Sequence, residues 1–530
     1  MEIQVRINEE GALHNQRYAF TNRFTLVSEL LQNARRAGAS KIQLDYDLTT
    51  RILHVADDGH GINDFQALLA FHESGWPEQT QQRERPFGIG FSKCLYAASR
   101  CIVRSRGWFV DFQTEAALRR TPIQVRRDPG EPVLGTQVEL HEVDLGGLDD
   151  RIDSLCKGFG VDVIYNGRRL VRPYAEDHLE TISTPVGAMH LVGVRTGHIA
   201  PTILGFLQGF RVFGPSDFSP VHVNVVHLDP QVFQARLPDR DRLIDQDDPI
   251  SRVYAELRHQ WRAILQYAKG KLPPREFVDR YYGAMKAFDC RDLINDLDEL
   301  PREVCAPIVG YPIQLYSGEH DSLLDLDAPP PTRAAIENGQ SVLVAMDDVG
   351  GDTAAAWMYA HARRFLVING HQQLPEGHWG HTQVRHLDSA SIQVEPVGPL
   401  TSTYFDGRWI GVKVVLCDTV RLTVSGDVVD ITDDGVYHED VLYIPAGEAS
   451  GKPVRQVSSY TDDMERFLQE ELQADLAALA DLIHQLRSVD PRATLQSLLD
   501  PLHLEKYPVL RDKTFRLAVS GNAHRVELID

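Results

Sequence analysis

One stretch of this chain, residues 26–91, sets what the rest can fold around. Its first part is Val27-Ser28-Glu29-Leu30-Leu31-Gln32-Asn33-Ala34. Phe24, Val27, Leu30, Leu31 and Ala34 recur at helical spacing and predict one apolar helix face. Glu29 and Asn33 are four apart, so they stand one above the other on a neighbouring face. A carboxylate beside an amide can align a water and ligate a hard cation such as Mg²⁺. An ordinary solvated helix face would carry the same pair.

The second part adds chemistry to that helix. Gly38 stops it. Residues 41–48 alternate as a strand, Thr49-Thr50 turns the chain, and residues 52–56 form a second strand ending in Asp57-Asp58-Gly59-His60-Gly61-Ile62. An Asp at a strand end can accept a hydrogen bond from an adenine amine, and glycines after it let the backbone approach a ligand. A plain Asp-Gly turn reads the same way. The third part, Phe87-Gly88-Ile89-Gly90-Phe91-Ser92-Lys93, is a glycine turn opening a helix, where free amides and the helix dipole favour phosphate. Neither the phosphate-loop nor the Rossmann glycine pattern is present.

In this order and spacing the three parts resemble the GHKL superfamily of ATPases, which includes DNA gyrase, the ninety-kilodalton heat-shock chaperones, histidine kinases, and MutL and MORC proteins. Leu134-Gly135-Thr136-Gln137-Val138 resembles that family's later Gly-Thr strand. The resemblance covers residues 20–142. It implies a Bergerat-type α/β sandwich that binds ATP with Mg²⁺. By the same resemblance Glu29 is the general base, Asn33 the Mg²⁺ ligand, and Asp57 the adenine contact. Gly61 and Ile62 lie beneath the base, Phe87, Gly88, Ile89, Gly90 and Phe91 form the phosphate loop, and Thr136 supports Asp57 through water. Two positions depart from the pattern: Asp58 stands where many members have Asn, and Arg85 replaces a glycine found before the loop in the chaperones. The polar stretch between Ile62 and Phe87 corresponds to a lid over the nucleotide.

The 530 residues are expected to hold several domains: 1–180 the ATPase unit, 181–272 a transducer-like α/β domain, 273–455 an α/β and β-rich region, and 456–530 a helical end with a terminal hairpin. The fold class is thus α+β and multidomain. Residues 3–7 read as an edge strand, or as a segment that crosses to a partner. Strands are expected at 188–194, 206–212 and 221–228, followed by a helix over 250–269. The transducer of the family lends a basic side chain to the γ-phosphate, and Arg236 and Arg240 in Gln234-Ala235-Arg236-Leu237-Pro238-Asp239-Arg240 are the candidates. Surface Arg–Asp pairing is the competing reading. His371, His378, His381 and His386 lie close in sequence but lack a metal-ligand spacing, so a structural role is expected. A leucine-rich helix over 460–488 either dimerises or packs on its own domain.

The net charge of −21 argues against a broad DNA-binding surface. The six scattered cysteines read as reduced thiols, and no membrane-length apolar run is visible, so a cytoplasmic protein is expected. The resemblance implies dimerisation on ATP binding and an unknown protein client. The first functional expectation is a chaperone-like or clamp-like ATPase. The alternatives are a nucleotide-sensing regulator that does not hydrolyse, and a DNA-acting MutL- or MORC-like clamp in repair or defence.

Overall fold

The fold is α+β, seen in a computed structural model. The residues described are 3–4, 8–16, 18, 22–71, 73, 75–84, 90–131, 133–215, 222–236, 239–309, 324–325, 327–347, 353–368, 374–433, 435–446, 469–520 and 523–529. The chain divides into two compact units, Met1–Leu293 and Ile294–Asp530.

The first unit opens with α1 (Glu9–Gln16) and α2 (Thr25–Arg36), then β1 (Lys41–Asp47) and β2 (Ile52–Asp57). The expected strand at 3–7 lies largely outside the described residues. The stretch between Ile62 and Phe87, expected to be a lid, is not all loop. It carries a 3-10 turn, Phe65–Leu68, and a short helix α3 (Glu78–Glu84) that is polar all round and so left no apolar period to read. Next come α4 (Ser92–Ala97), β3 (Arg100–Ser105), β4 (Trp108–Gln113), α5 (Thr114–Leu118), β5 (Arg126–Arg127), β6 (Thr136–His141), α6 (Leu148–Cys156), β7 (Asp162–Tyr165) and β8 (Arg168–Arg169).

These strands form one sheet in the order β5-β4-β3-β6-β2-β1-β7-β8. Neighbours run antiparallel except β1 and β7, which are parallel from Lys41↔Asp162 to Leu44↔Tyr165. In β1, Ile42, Leu44 and Tyr46 are buried, as period-two alternation requires. Leu26, Val27, Leu30, Leu31 and Ala34 of α2 bury into the same core, with Cys94 and Leu95 of α4 and Ile152 and Cys156 of α6. The apolar face read from the sequence is therefore what fixes α2 on the sheet and sends Glu29 and Asn33 off to one side of it.

A second sheet follows within this unit: β9 (Ile182–Thr184), β10 (Gly187–His190), β11 (Ile203–Leu207), β12 (Phe210–Phe213) and β13 (Asn224–Leu228), ordered β12-β11-β13-β10-β9. The expected single strand over 206–212 is two strands. Gln208 turns at φ 53° and Gly209 at φ 88°, folding a continuous apolar run back on itself. Helices α7 (Asp247–Lys269) and α8 (Pro274–Ala287) close the unit, α7 burying Val253, Leu257, Trp261 and Leu265 at steps of four.

The second unit begins with β14 (Cys305–Pro307), α9 (Arg333–Glu337), β15 (Leu343–Ala345), α10 (Ala354–Ala362), β16 (Leu366–Ile368) and β17 (Val384–His386), the strands ordered β14-β16-β15-β17. Then follow β18 (Gln393–Val397), β19 (Thr401–Asp406), β20 (Gly411–Leu416), β21 (Thr419–Val424), β22 (Asp427–Ile431), β23 (Val436–His438) and β24 (Val441–Ile444). They separate into sheets β18-β21-β22 and β19-β20-β24-β23. The chain ends in α11 (Gln469–Arg487), α12 (Pro491–Leu499), β25 (Phe515–Ser520) and β26 (Ala523–Leu528). Of the leucine-rich helix expected over 460–488, the residues before 469 lie outside the described set. Its Leu472, Leu479 and Ile483 pack on Ile410, Val412, Val414 and Leu442 of its own unit. All six cysteines are buried, and no disulfide joins them. Among the described residues no helix is long and apolar enough to cross a membrane.

Candidate functional site

A cavity of about 350 Å³ opens in the first unit. It is lined by residues from α2, the end of β2, the stretch from Gly61 to Pro77, the start of α4, β6 and the loop after β13. Glu29, Asn33, Asp57, Gly61, Ile62, Gly90, Phe91, Thr136 and Arg240 all line it. Phe87, Gly88 and Ile89 lie outside the described residues. Arg236 does not reach the cavity. It is half exposed, with its guanidinium 3.6 Å from Asp241.

Glu29 is buried on the helix face that Asn33 shares. The Nε of Arg240 stands 2.9 Å from one Glu29 carboxylate oxygen, and both side chains are largely buried. The other oxygen, Oε2, is buried with no hydrogen-bond partner. It faces Gly90, where any Cβ would overlap it, so only glycine lets the backbone pass this close.

Two residues of one loop dock together against α2. Asp239 accepts a hydrogen bond from the Thr25 hydroxyl at 2.6 Å, and it also faces the buried Lys93. Burial pushes the Lys93 ammonium below its ordinary value, and Asp239 offsets part of this. Arg240, at φ 54°, donates from Nη1 to Gln208 Oε1 at 3.2 Å, and Gln32 donates to the same oxygen at 2.6 Å. The Gln208 amide reaches on to the Glu84 carbonyl. The turn that splits β11 from β12 therefore braces Arg240 from behind.

At the other end of the cavity, Asp57 sits opposite Thr136 across the β2–β6 ladder. Its Oδ1 accepts the Gly59 N–H at 2.9 Å. Burial raises its carboxyl above the ordinary range, and main-chain N–H groups of Gly59 and Thr136 offset part of the rise. Gly61 has φ +75°, and a Cβ there would meet the Ser105 oxygen at 2.7 Å. That fully buried serine holds the floor: it accepts the Ile62 N–H at 2.9 Å and donates to the Gly135 carbonyl at 2.6 Å. Ser105 ends β3, far from any motif, and no signal in the sequence marks it.

Asp58, the departure from the GHKL pattern, turns away. It accepts the Ser40 and Lys41 N–H groups and the Ser40 hydroxyl, closing the start of β1, and it does not line the cavity. Those bonds, the hydroxyl's first, hold its carboxyl below the usual range. Its charge is spent on the backbone rather than near a ligand.

Arg36 was not singled out from the sequence, although seven residues after Glu29 it falls on the same helix face. Its side chain is only 3% exposed and lines the cavity. Its Nε bonds Glu84 at 3.0 Å, while Nη2 is buried without a partner. Burial, with Arg240 adding to it, lowers the Arg36 pKa. Glu84 also bonds Arg35 at 2.5 Å. Burial alone would raise the Glu84 carboxyl, but the two guanidiniums hold it below the ordinary range. Glu84 ends α3, so this ion triad ties α3 to α2.

His371 lies outside the described residues. His378 is buried, accepts the Gly380 N–H at 3.0 Å through Nδ1, and leaves Nε2 unpartnered. His381 donates to the Pro375 carbonyl. Among the described residues no group of His, Cys, Asp and Glu is placed to hold a metal ion.

Neither the models of known protein families nor the curated proteins give a match to this chain.

Proposed function

We propose that the first unit is a GHKL-type ATPase of the Bergerat fold that binds ATP with Mg²⁺ and hydrolyses it to switch conformation. The observation that carries this reading is the meeting of Glu29, Asn33, Asp57, Thr136 and Arg240 in one cavity, although they come from widely separated segments. In this mechanism the Asp57 carboxylate accepts the adenine amine, over a floor made by Gly61, Ile62 and Ser105. The phosphates lie toward Gly90, beside Asn33 and Arg36. Asn33 supplies an amide oxygen suited to a hard cation, which would neutralise phosphate charge when bound. Glu29 holds the attacking water and takes its proton, and the Arg240 guanidinium meets charge that develops on the γ-phosphate. Phe87, Gly88 and Ile89 complete the phosphate loop, and Glu84 moves with the lid. The switch would act as a chaperone-like or clamp-like dimer on a protein client.

One observation favours a second reading. Arg240 already neutralises Glu29, as suits a nucleotide-sensing regulator that binds without turnover. Measuring ATP turnover with Mg²⁺ for wild type beside Glu29→Ala separates the two. The enzyme reading expects turnover that drops by orders of magnitude in the variant while nucleotide still binds. Binding without turnover in either protein makes the chain a sensor, and absence of adenine-nucleotide binding ends both readings.

A further inference from the structure

β25 and β26 form a two-stranded sheet to which no other described strand is joined. Their register pairs Phe515↔Leu528, Arg516↔Glu527, Leu517↔Val526 and Ala518↔Arg525. Alternation therefore sets Phe515, Leu517 and Val519 on one face with Val526 and Leu528. All five are exposed, from 36% at Leu517 to 73% at Val519. A lone two-stranded hairpin is marginal in water, and independent stability takes a third strand with an apolar face or packing against a helix. No described strand lies on either edge of this one, and an open edge is a template for another strand.

Charge selects the strand that fits. The Ile529 N–H bonds inward to the Thr514 carbonyl at 2.8 Å. Antiparallel alternation then turns the main-chain groups of His524, Val526 and Leu528 outward, to the free edge. A second β26 laid antiparallel about Val526 meets those groups in register. Within one chain the Arg525 Nε already stands 3.1 Å from a Glu527 carboxylate oxygen, and Glu527 faces Arg516 across the hairpin. The same register brings Arg525 opposite Glu527 of the second copy, and Glu527 opposite Arg525 of the second copy, so both charges gain a second partner. Centring on Arg525 or on Glu527 instead would oppose like charges. β25 carries Arg516 as its one charged side chain, so it offers no opposite charge to a copy of itself.

We propose that β26 is a self-association edge. Two copies of the chain join antiparallel about Val526, building one four-stranded sheet with a continuous apolar face. The main-chain ladder and that face supply the affinity, and the two Arg525–Glu527 pairs set the register and reject other strands. The association is isologous and needs no nucleotide, so it stands whatever the cavity of the first unit binds.

The test uses charge reversal in the full chain without nucleotide. Sedimentation equilibrium of the wild type at micromolar concentration should give twice the 59.6 kDa of one chain. Arg525→Glu leaves two acidic side chains on the edge, and Glu527→Arg leaves two basic ones, so each variant alone should sediment as a single chain. Mixed in equal amounts they should form a heterodimer, because every pairing is then opposite in charge. Circular dichroism of both variants should match the wild type and so show that the fold is intact, with melting lowered only slightly by loss of the exposed Arg525–Glu527 pair within the strand. The proposal is overturned by a wild type that stays single, by either variant pairing alone as the wild type does, or by variants that fall apart and do not recombine on mixing.

Discussion

Arg240 and Glu29 form a largely buried ion pair 2.9 Å apart, between the loop after β13 and the helix that opens the first sheet. Removing one member of a buried pair leaves the other charged and unsolvated, at a typical cost of about 3 kcal/mol or more. Arg240→Ala should therefore destabilise the first unit by that order. Glu29→Gln in the same chain should recover a large part of it. Chemical denaturation of the four proteins of this double-mutant cycle measures the coupling, and additive effects would show that the pair is not energetically linked.

Gly90 offers the sharpest steric probe. Gly90→Ala places a methyl group against Glu29 Oε2, so either the carboxylate or the turn must move. Turnover should fall at least tenfold, since a displacement of about an ångström in a catalytic group can cost about a hundredfold. Steady-state kinetics checks this, and a fully active Gly90→Ala protein would mean that Glu29 does not act from this position.

Arg36 should read phosphate. Hydrogen bonds to a charged group contribute about 1.5–3 kcal/mol, roughly ten- to a hundredfold in affinity. Arg36→Met should weaken ATP by that factor and leave adenosine unchanged. Titration calorimetry with adenosine, ADP and ATP gives the comparison, and an equal loss for all three ligands would place Arg36 in folding rather than recognition.

Asp57 should impose a pH dependence on base binding. Its folded carboxyl is raised by burial, and the ionised form is the one that accepts the adenine amine. Adenosine affinity should be full above that raised pKa and fall as pH drops through it, already above the ordinary carboxylate range. Asp57→Asn should bind weakly at every pH. A wild-type profile that is flat down to the ordinary carboxylate value would exclude Asp57 as the acceptor.

His378 should make the second unit acid-sensitive. Burial, with His381 and Arg333 adding to it, pushes its pKa down to about 4, against about 6.5 in an unfolded chain. Between those values the unfolded state binds the extra proton. Stability is therefore full above about pH 6.5 and falls by about 1.4 kcal/mol per unit toward pH 4. Melting of wild type and His378→Asn across that range should show a shallower slope in the variant, where His361, also held below its ordinary pKa by burial, still contributes.

The parts of the site most legible in the sequence were those carried by local spacing. The apolar row Val27, Leu30, Leu31 and Ala34 defines one face of α2, and Glu29 and Asn33 follow from it. The strand end at Asp57 was legible from alternation. Residues placed by long-range contact were not. Ser105 reaches the cavity floor only because β3 pairs with β6, and Gln208 reaches Arg240 only because a turn hides inside an apolar run. Arg236 and Arg240 share a loop and a charge, and sequence could not choose between them. The choice comes from Asp239, which anchors the loop on Thr25 and points its neighbour at Glu29. The helix Glu78–Glu84 was illegible because no face of it is apolar.

The parallel pairing of β1 with β7 has a consequence for synthesis. Lys41 finds its partner Asp162 only after about 120 further residues have been made. At a translation rate of roughly 5–20 residues per second, that edge of β1 waits about 6–24 s beyond its own completion. Through that wait the nascent sheet shows an unpaired strand, and Lys41, Gln43 and Asp45 point outward from its solvent face, charged or polar side chains of the kind that discourage pairing with a neighbouring nascent chain.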